Sequence, residues 1–141
     1  SVEQYDNNGN PIKIFFNEIE YDYNTGVSNT VIYQAEISYD NTPNPYFYTL
    51  KAAGLIDVLD NVNLDFSINP QIPQIIRARM LFPLNNIKRI VYKDNYSVVI
   101  YEITADYIYN TSNHPISATV TGTDFSDNQT SIYMLSYTYK D

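Results

Sequence analysis

The sequence predicts an all-β fold: an antiparallel meander of about seven or eight long, curved strands, open or partly closed into a barrel. A short helical or irregular insert is expected at about residues 50–83. The 15 Tyr and 17 Ile favour strands, and the 17 Asn favour turns. Several segments alternate apolar and polar residues, as strands do when one side lies on a core. A turn-like motif also recurs, and 141 residues suffice for one domain, residues 1–141.

The recurring motif is YDNNGNP at residues 5–11, YDNTPNP at 39–45 and YNTSNHP at 109–115. In each copy Asp or Asn follows a Tyr, and its side chain can accept a backbone N–H two residues on. Gly9 can take a positive φ without steric cost, and the closing Pro can open the next strand, where a missing donor matters least. We therefore predict that each copy is a hairpin connection.

Strand-like alternation covers residues 11–18, 31–39, 86–93, 96–109, 115–123 and 131–139. In the longest of these, one face carries Tyr101, Tyr107 and Tyr109, and the other is mixed. Its fourteen residues would span roughly 45 Å, about twice a usual strand or more. We expect such strands to coil or bulge, because flat sheets of that size are rare.

Residues 50–83 break the pattern, with three prolines, dense apolar side chains and no sustained alternation. Pro73 can occupy the first position of a short helix that runs to about Phe82. A structureless loop of this length is uncommon in a compact domain. We therefore expect short helices that pack into the concave side of the sheet.

The motif at residues 5–14, NPYFY at 44–48, LNNIKRI at 84–90 and the motif at 109–115 carry a family resemblance. The turns resemble the YD-type repeats of bacterial surface proteins. The whole layout resembles the small secreted Bacteroidetes lipoproteins of unknown function, which have a porin-like β fold. This resemblance implies a cell-envelope location, periplasmic or anchored to the outer membrane at the cell surface, with the lipid anchor upstream of Ser1. It implies no activity.

The composition excludes several classes of function. A net charge of −8 without a basic stripe argues against nucleic acid as a partner. The absence of cysteine removes disulfides and thiolate metal sites. No apolar run is long enough for a membrane-spanning helix. His114, the single histidine, lies in a predicted turn, so we expect no cofactor and no catalytic triad built on it.

Three clusters could carry chemistry, each with a plainer interpretation. Two pairs, Glu18 with Glu20 and Glu102 with Asp106, could serve glycoside hydrolysis, but a solvated face is the simpler reading. Acidic loop residues near Asp124 could hold a cation, but a hairpin turn is favoured. Basic residues between positions 77 and 93 could bind an anion, but ion pairing with the surplus acids is more economical. We therefore expect no enzymatic activity and no metal site.

The tyrosines are the most informative feature, because Tyr combines stacking area with a hydroxyl. Cross-strand pairing is the plainer use of these rings. The candidate ligand-contacting aromatics are Tyr46, Phe47, Tyr48, Tyr101, Tyr107, Tyr133 and Tyr137. The function expected is a non-catalytic envelope lipoprotein ectodomain with a binding or structural role. A lipocalin-like carrier of a small apolar ligand and a glycan-binding or glycan-active protein are the alternatives, so the partner is a protein, a glycan or an apolar molecule.

Overall fold

The computed structural model describes residues 1–61 and 82–139, in which seven strands form one antiparallel sheet. The strands are β1 (Val2–Tyr5), β2 (Pro11–Asp22), β3 (Val27–Pro43), β4 (Asn85–Lys93), β5 (Val99–Tyr109), β6 (Pro115–Asp124) and β7 (Gln129–Ser136). Two helices, α1 (Pro45–Ala52) and α2 (Leu55–Asn61), lie between β3 and β4. The strands pair in chain order with β1 and β7 at the edges, which confirms the predicted open meander.

The first turn shows why the repeated motif reverses the chain. The Asp6 side chain accepts the backbone N–H groups of Asn8 and Asn10 at 2.9 and 2.8 Å. Gly9 donates its N–H to the Asp6 carbonyl at 3.0 Å and takes a φ of 85°, which a residue without a Cβ adopts at little cost. One carboxylate therefore organises a five-residue reversal.

The same geometry recurs around Asp94 and Asn110. Each side chain accepts the N–H groups two and four residues further on, at 2.8–3.0 Å. The residue three places on has positive φ, 65° at Ser97 and 59° at Asn113. The hairpins predicted at residues 5–11 and 109–115 are thus confirmed. The turn at Asp94 was not predicted, because it contains neither Gly nor Pro.

The second copy of the motif is not a hairpin, so that prediction was wrong. β3 continues through Asp40, whose side chain accepts the N–H of Thr42 at 2.9 Å within the strand. Asn44 then caps α1 by accepting the N–H of Tyr46 at 3.1 Å. Pro45 occupies the first turn of the helix, where its missing N–H has no intrahelical partner to lose. The same side-chain contact therefore starts a helix instead of closing a hairpin.

The two helices form a small core. Phe47 and Ile56 are 2% and 4% exposed, and Leu50, Phe82 and Leu84 pack around them partly buried. Burial of each such side chain contributes about 1.5–3 kcal/mol. This cluster is the helical part of the predicted insert.

The insert differs in its bounds from the prediction at residues 50–83. Its helices begin earlier, at Pro45, and β4 begins at Asn85. Most of the helix predicted from Pro73 to Phe82 lies outside the described residues, which resume at Phe82. Among the described helices, neither is long and apolar enough to cross a membrane.

The strands are long, as predicted, and four of the six ladders contain register shifts. β3 has 17 residues and pairs with both β2 and β4. Such irregularities bend a strand and increase its local twist. The final strand, predicted at residues 131–139, runs from Gln129 to Ser136.

Candidate functional site

Four aromatic rings on one face of the sheet form a continuous set of contacts, which we call the aromatic row: Phe16, Tyr33, Tyr92 and Tyr101. Phe16 stacks on Tyr33 with ring centroids 5.6 Å apart. Phe16 also meets Tyr92 edge-on at 6.2 Å, and Tyr92 lies 6.1 Å from Tyr101. The rings come from β2, β3, β4 and β5, so the row crosses about 14 Å of sheet at the usual strand spacing. All four side chains are half-buried.

Small residues between the rings allow these contacts. Ala35 on β3 is 5% exposed and lies opposite Tyr92. Because its side chain is short, the Phe16 ring on β2 and the Tyr92 ring on β4 can meet across β3. On the other side, an ideal Cβ added to Gly122 of β6 would lie 2.5 Å from the Tyr101 hydroxyl oxygen. Tyr101 therefore leans across β6 in space that a larger residue would fill.

The aromatic row lines a shallow, open cavity of ≈ 400 Å³, together with Ile100 and Ile103. A polar group adjoins it, because the Tyr33 hydroxyl donates to Glu20 at 2.5 Å. Apolar ring faces beside hydroxyl and carboxylate groups suit a ligand that is itself apolar on one side and polar on another.

A second cavity, the helix groove, lies between α1 and the end of β7. Its volume is ≈ 640 Å³, and its principal side chains are Tyr46, Leu50, Phe82, Ile87 and Tyr137. The rings of Tyr46 and Tyr137 are 6.3 Å apart and tilted by 60°. Burial, with smaller contributions from Tyr46 and a neighbouring tyrosine, raises the pKa of Tyr137 above its usual value. The groove is mainly apolar and has hydroxyl groups within it.

A hydrogen-bond network joins β3, β4 and β5 near the helices. The Tyr109 hydroxyl donates to the Asp40 carboxylate, and the Thr42 hydroxyl lies 2.9 Å from the Tyr109 hydroxyl. Asn86, 5% exposed, donates to the Thr42 hydroxyl at 3.0 Å and to the Pro43 carbonyl at 3.1 Å. Burial, followed by the Asp40 contact, raises the pKa of Tyr109 to about 12. The Tyr109 hydroxyl thus donates from β5 to Asp40 of β3, which is a structural role.

The seven predicted ligand-contacting aromatics do not form one site. Tyr101 belongs to the aromatic row, and Tyr46 and Tyr137 meet in the helix groove. Phe47 is in the core, so its ring serves packing and is not available to a ligand.

Tyr48, Tyr107 and Tyr133 lie apart from one another. Tyr48 borders a neighbouring cavity that includes His114. The Tyr107 hydroxyl donates to the Ile87 carbonyl at 3.0 Å, and burial, the largest cause, raises its pKa. Tyr133 is 62% exposed on β7. Tyr133 does not lie directly beside the β5 tyrosines, because β6 separates β7 from β5.

The other sequence candidates have structural partners. His114 ends the Asn110 turn, as expected, and its ring lies 5.3 Å from that of Tyr139. The Asp124 carboxylate accepts the N–H groups of Ser126 and Asp127 at 2.9 and 3.3 Å, which makes that loop a turn. These hydrogen bonds, with the Ser126 hydroxyl first, lower the pKa of Asp124.

Ion pairing, the interpretation favoured for the basic residues, is present at Arg89 and Lys93. Arg89 forms an ion pair with Glu102, and Lys93 pairs with Glu36 at 2.7 Å. Arg77 and Arg79 lie outside the described residues, as does the Glu18 side chain. Within the part of the chain that the structure covers, no group of three or more His, Asp or Glu side chains is arranged to hold a metal ion.

Sequence reasoning missed three members of the aromatic row: Phe16, Tyr33 and Tyr92. Each lies in a segment that was predicted to be a strand, so the alternation of the sequence predicts on which side of its strand the ring lies. Alternation does not give the register between neighbouring strands. It is this register that places Tyr33 opposite Phe16 and Tyr101 opposite Tyr92. The small residue at position 35 was the available signal, because a short side chain between aromatic strands leaves room for rings to meet.

Comparisons with protein-family models, with curated proteins and with solved structures each found no match to this chain.

Proposed function

We propose that this chain is a non-catalytic glycan-binding domain of the bacterial cell envelope that holds a neutral polysaccharide against its aromatic row. The observation that carries the proposal is the unbroken contact of Phe16, Tyr33, Tyr92 and Tyr101 across four strands of an open sheet face. An elongated platform of this kind fits an elongated ligand.

Sugar chemistry matches the platform. One side of a pyranose ring is lined by C–H groups, which carry partial positive charge and are attracted to the negative face of an aromatic ring. Its hydroxyl groups need hydrogen-bond partners, and the Tyr33 hydroxyl and the Glu20 carboxylate lie beside the rings. The net charge of −8 disfavours acidic polysaccharides, so a neutral chain is the better ligand.

Of the two predicted carboxylate pairs, only Glu102 with Asp106 has both side chains among the described residues, and its spacing supports a binding role over hydrolysis. Glu102 and Asp106 lie four residues apart on β5, so their Cα atoms are separated by about 13 Å. Inverting glycosidases hold their two carboxyl groups about 6.5–9.5 Å apart, and retaining ones hold them closer. Glu102 also forms an ion pair with Arg89.

The envelope location rests on the resemblance of the whole layout to the secreted Bacteroidetes lipoproteins and of the turns to the YD-type repeats of bacterial surface proteins. The test is fractionation of the native cells, with labelled palmitate supplied during growth. Recovery in the membrane fraction with incorporated label supports a lipoprotein, and unlabelled protein in the cytosol contradicts the location without affecting the binding proposal.

Affinity electrophoresis in native gels that contain soluble starch, mannan or xylan tests the binding proposal. We expect at least one polysaccharide to retard the wild-type protein, and Tyr92→Ala and Tyr101→Ala to abolish the retardation. Tyr96→Ala is the matched control, because Tyr96 is 80% exposed in the β4–β5 turn, outside the row. The proposal is contradicted if all variants are retarded equally, or if none of the three polysaccharides retards the wild-type protein.

The helix groove supports a second candidate function, the carriage of a small apolar ligand. Its volume of ≈ 640 Å³ suits a small molecule, and Leu50, Phe82 and Ile87 make its lining largely apolar. Native mass spectrometry of protein purified from its own cells would show a mass gain that is lost on denaturation. Tyr46→Ala should remove that gain if the groove holds the ligand, and a bare protein mass contradicts carriage.

A further inference from the structure

Among the described residues, β7 is an edge strand with a partner on one side only, and it carries no charge. Its eight residues, QTSIYMLS, are all exposed. Every other strand that the structure describes contains at least one Asp, Glu, Lys or Arg, and β7 contains none. Its exposed apolar side chains include Ile132 at 66% and Met134 at 85%. Charged residues and Pro are the usual protection of an edge against pairing with another strand, and β7 lacks both.

The ladder shows which backbone groups of β7 are free to pair. Tyr137 donates its N–H to the Ile116 carbonyl at 3.0 Å, in line with the β6–β7 register. Hydrogen-bonded positions alternate along an antiparallel pair, so Tyr133 and Leu135 direct their backbone groups toward β6. Ile132 and Met134, with Thr130 and Ser136, direct theirs outward from the sheet.

The opposite edge is protected. β1 pairs with residues 11–14 of β2, which leaves residues 16–22 without a partner strand on that side in the described part of the chain. That stretch, FNEIEYD, contains Glu18, Glu20 and Asp22. Two copies of it side by side would place like charges together, which is destabilising. Of the two edges, only β7 therefore favours self-association through the sheet.

We infer that β7 pairs antiparallel with β7 of a second copy of this chain, about a twofold axis beside Tyr133. In this register all four outward positions are used, because Ile132 lies opposite Met134 of the second copy, and Thr130 lies opposite Ser136. The two Ile–Met pairs bury apolar side chains on one face, and Tyr133 meets its own symmetry mate on the other. The acidic copies bring no charged β7 side chain into contact, and the two aromatic rows become parts of one continuous sheet.

Sedimentation velocity over a range of protein concentrations tests the pairing. We expect the wild type to approach twice the monomer mass as concentration rises. Met134→Lys should weaken dimerisation by about tenfold or more, because each dimer would hold two ammonium groups against apolar side chains. Ile19→Lys is the control, since Ile19 is 78% exposed on β2 at the other edge. A wild type that stays monomeric, or a dimer lost in Ile19→Lys but kept in Met134→Lys, overturns the inference.

Cysteine cross-linking tests the register, and the chain has no native cysteine to interfere. Tyr133 faces its symmetry mate in a non-hydrogen-bonded pair, where Cα atoms are about 4.5 Å apart, within disulfide range. Tyr133→Cys should therefore give a disulfide-linked dimer under mild oxidation. Gln129→Cys should not, because its symmetry mate lies several residues away along the strand. Linkage at position 129 without linkage at 133 overturns the register, and linkage at neither overturns the pairing.

Discussion

The side chain of Asn10 accepts the backbone N–H of Leu84 at 2.7 Å, so the first hairpin turn holds the point where the chain re-enters the sheet after its helices. Asn10 is fully buried, and its amide also donates to Asp6 at 2.9 Å and to Asn85 at 2.8 Å. A polar side chain placed at zero exposure is stable only because each of its groups has a partner.

Asn10→Ala should therefore lower the free energy of unfolding by about 2–3 kcal/mol, because it leaves the Leu84 N–H without its acceptor. The measurement is urea unfolding followed by circular dichroism. Asn8→Ala is the matched control, with an expected loss below about 0.5 kcal/mol, since its exposed amide makes one contact to Asn85 at 3.2 Å. Equal losses in the two variants would contradict the role of Asn10.

The turn at Asp94 should be open to stabilisation. Ser97 has a φ of 65°, a conformation that costs a residue with a Cβ about 1–2 kcal/mol, whereas Gly adopts it freely. Ser97→Gly should raise the free energy of unfolding by about 0.5 kcal/mol after the larger unfolded-state entropy of Gly is included. The reciprocal change in the equivalent turn, Gly9→Ser, should lower it. A thermal shift of the same sign in both variants would refute the equivalence of the two turns.

Stability should fall at alkaline pH. Burial, with the Asp40 contact, raises the pKa of Tyr109 to about 12, and burial raises the pKa of Tyr39 and Tyr107 in the same direction. A raised folded pKa contributes stability that is complete below the unfolded value of about 10 and is lost as the pH rises through the folded value.

The urea midpoint should therefore be flat from about pH 7 to 9 and decline between about pH 10 and 12. Tyr109→Phe should make the decline shallower, and Tyr96→Phe, which removes the hydroxyl of an exposed side chain, is the matched control. A urea midpoint that rises with pH above 10 would contradict raised pKa values for these tyrosines.

Gly122→Ala should disturb the aromatic row. The added Cβ would meet the Tyr101 hydroxyl at 2.5 Å, so the ring must move, at a cost of about 1 kcal/mol. We expect an altered near-ultraviolet circular dichroism spectrum and weaker retardation by the polysaccharide. Thr121→Ala, a change at the neighbouring residue of β6, should leave both unaltered. An unchanged spectrum in Gly122→Ala would mean that Tyr101 does not depend on this space.

The meander follows from features that are local in the sequence. Alternation identified β2 to β7 but not β1, and the Asx contacts of Asp6 and Asn110 identified two of the reversals. The same local chemistry failed at Asp40, because a side chain that accepts an N–H two residues on can lie in a turn, a strand or a helix cap. Only the tertiary setting, in which Asn44 precedes a packed Phe47, decides for the helix.

The candidate site was less predictable for a related reason. Tyr101 was identified, but its neighbours in the row come from strands whose register depends on bulges and on the length of the intervening segments. A one-residue slip would place Tyr92 on the opposite face. The candidate residues Tyr101 and Tyr107 of β5 are separated from Tyr133 of β7, since β6 and its small Ala118 and Gly122 lie between those strands.

The most direct test of the central claim is a solution NMR titration of protein labelled with carbon-13 in its Tyr and Phe rings, with soluble polysaccharide fragments as the ligand. We expect the largest shift changes at Phe16, Tyr33, Tyr92 and Tyr101, and little change at Tyr46 and Tyr137 in the helix groove. Changes confined to the groove, or no changes at saturating ligand, would contradict glycan recognition by the aromatic row.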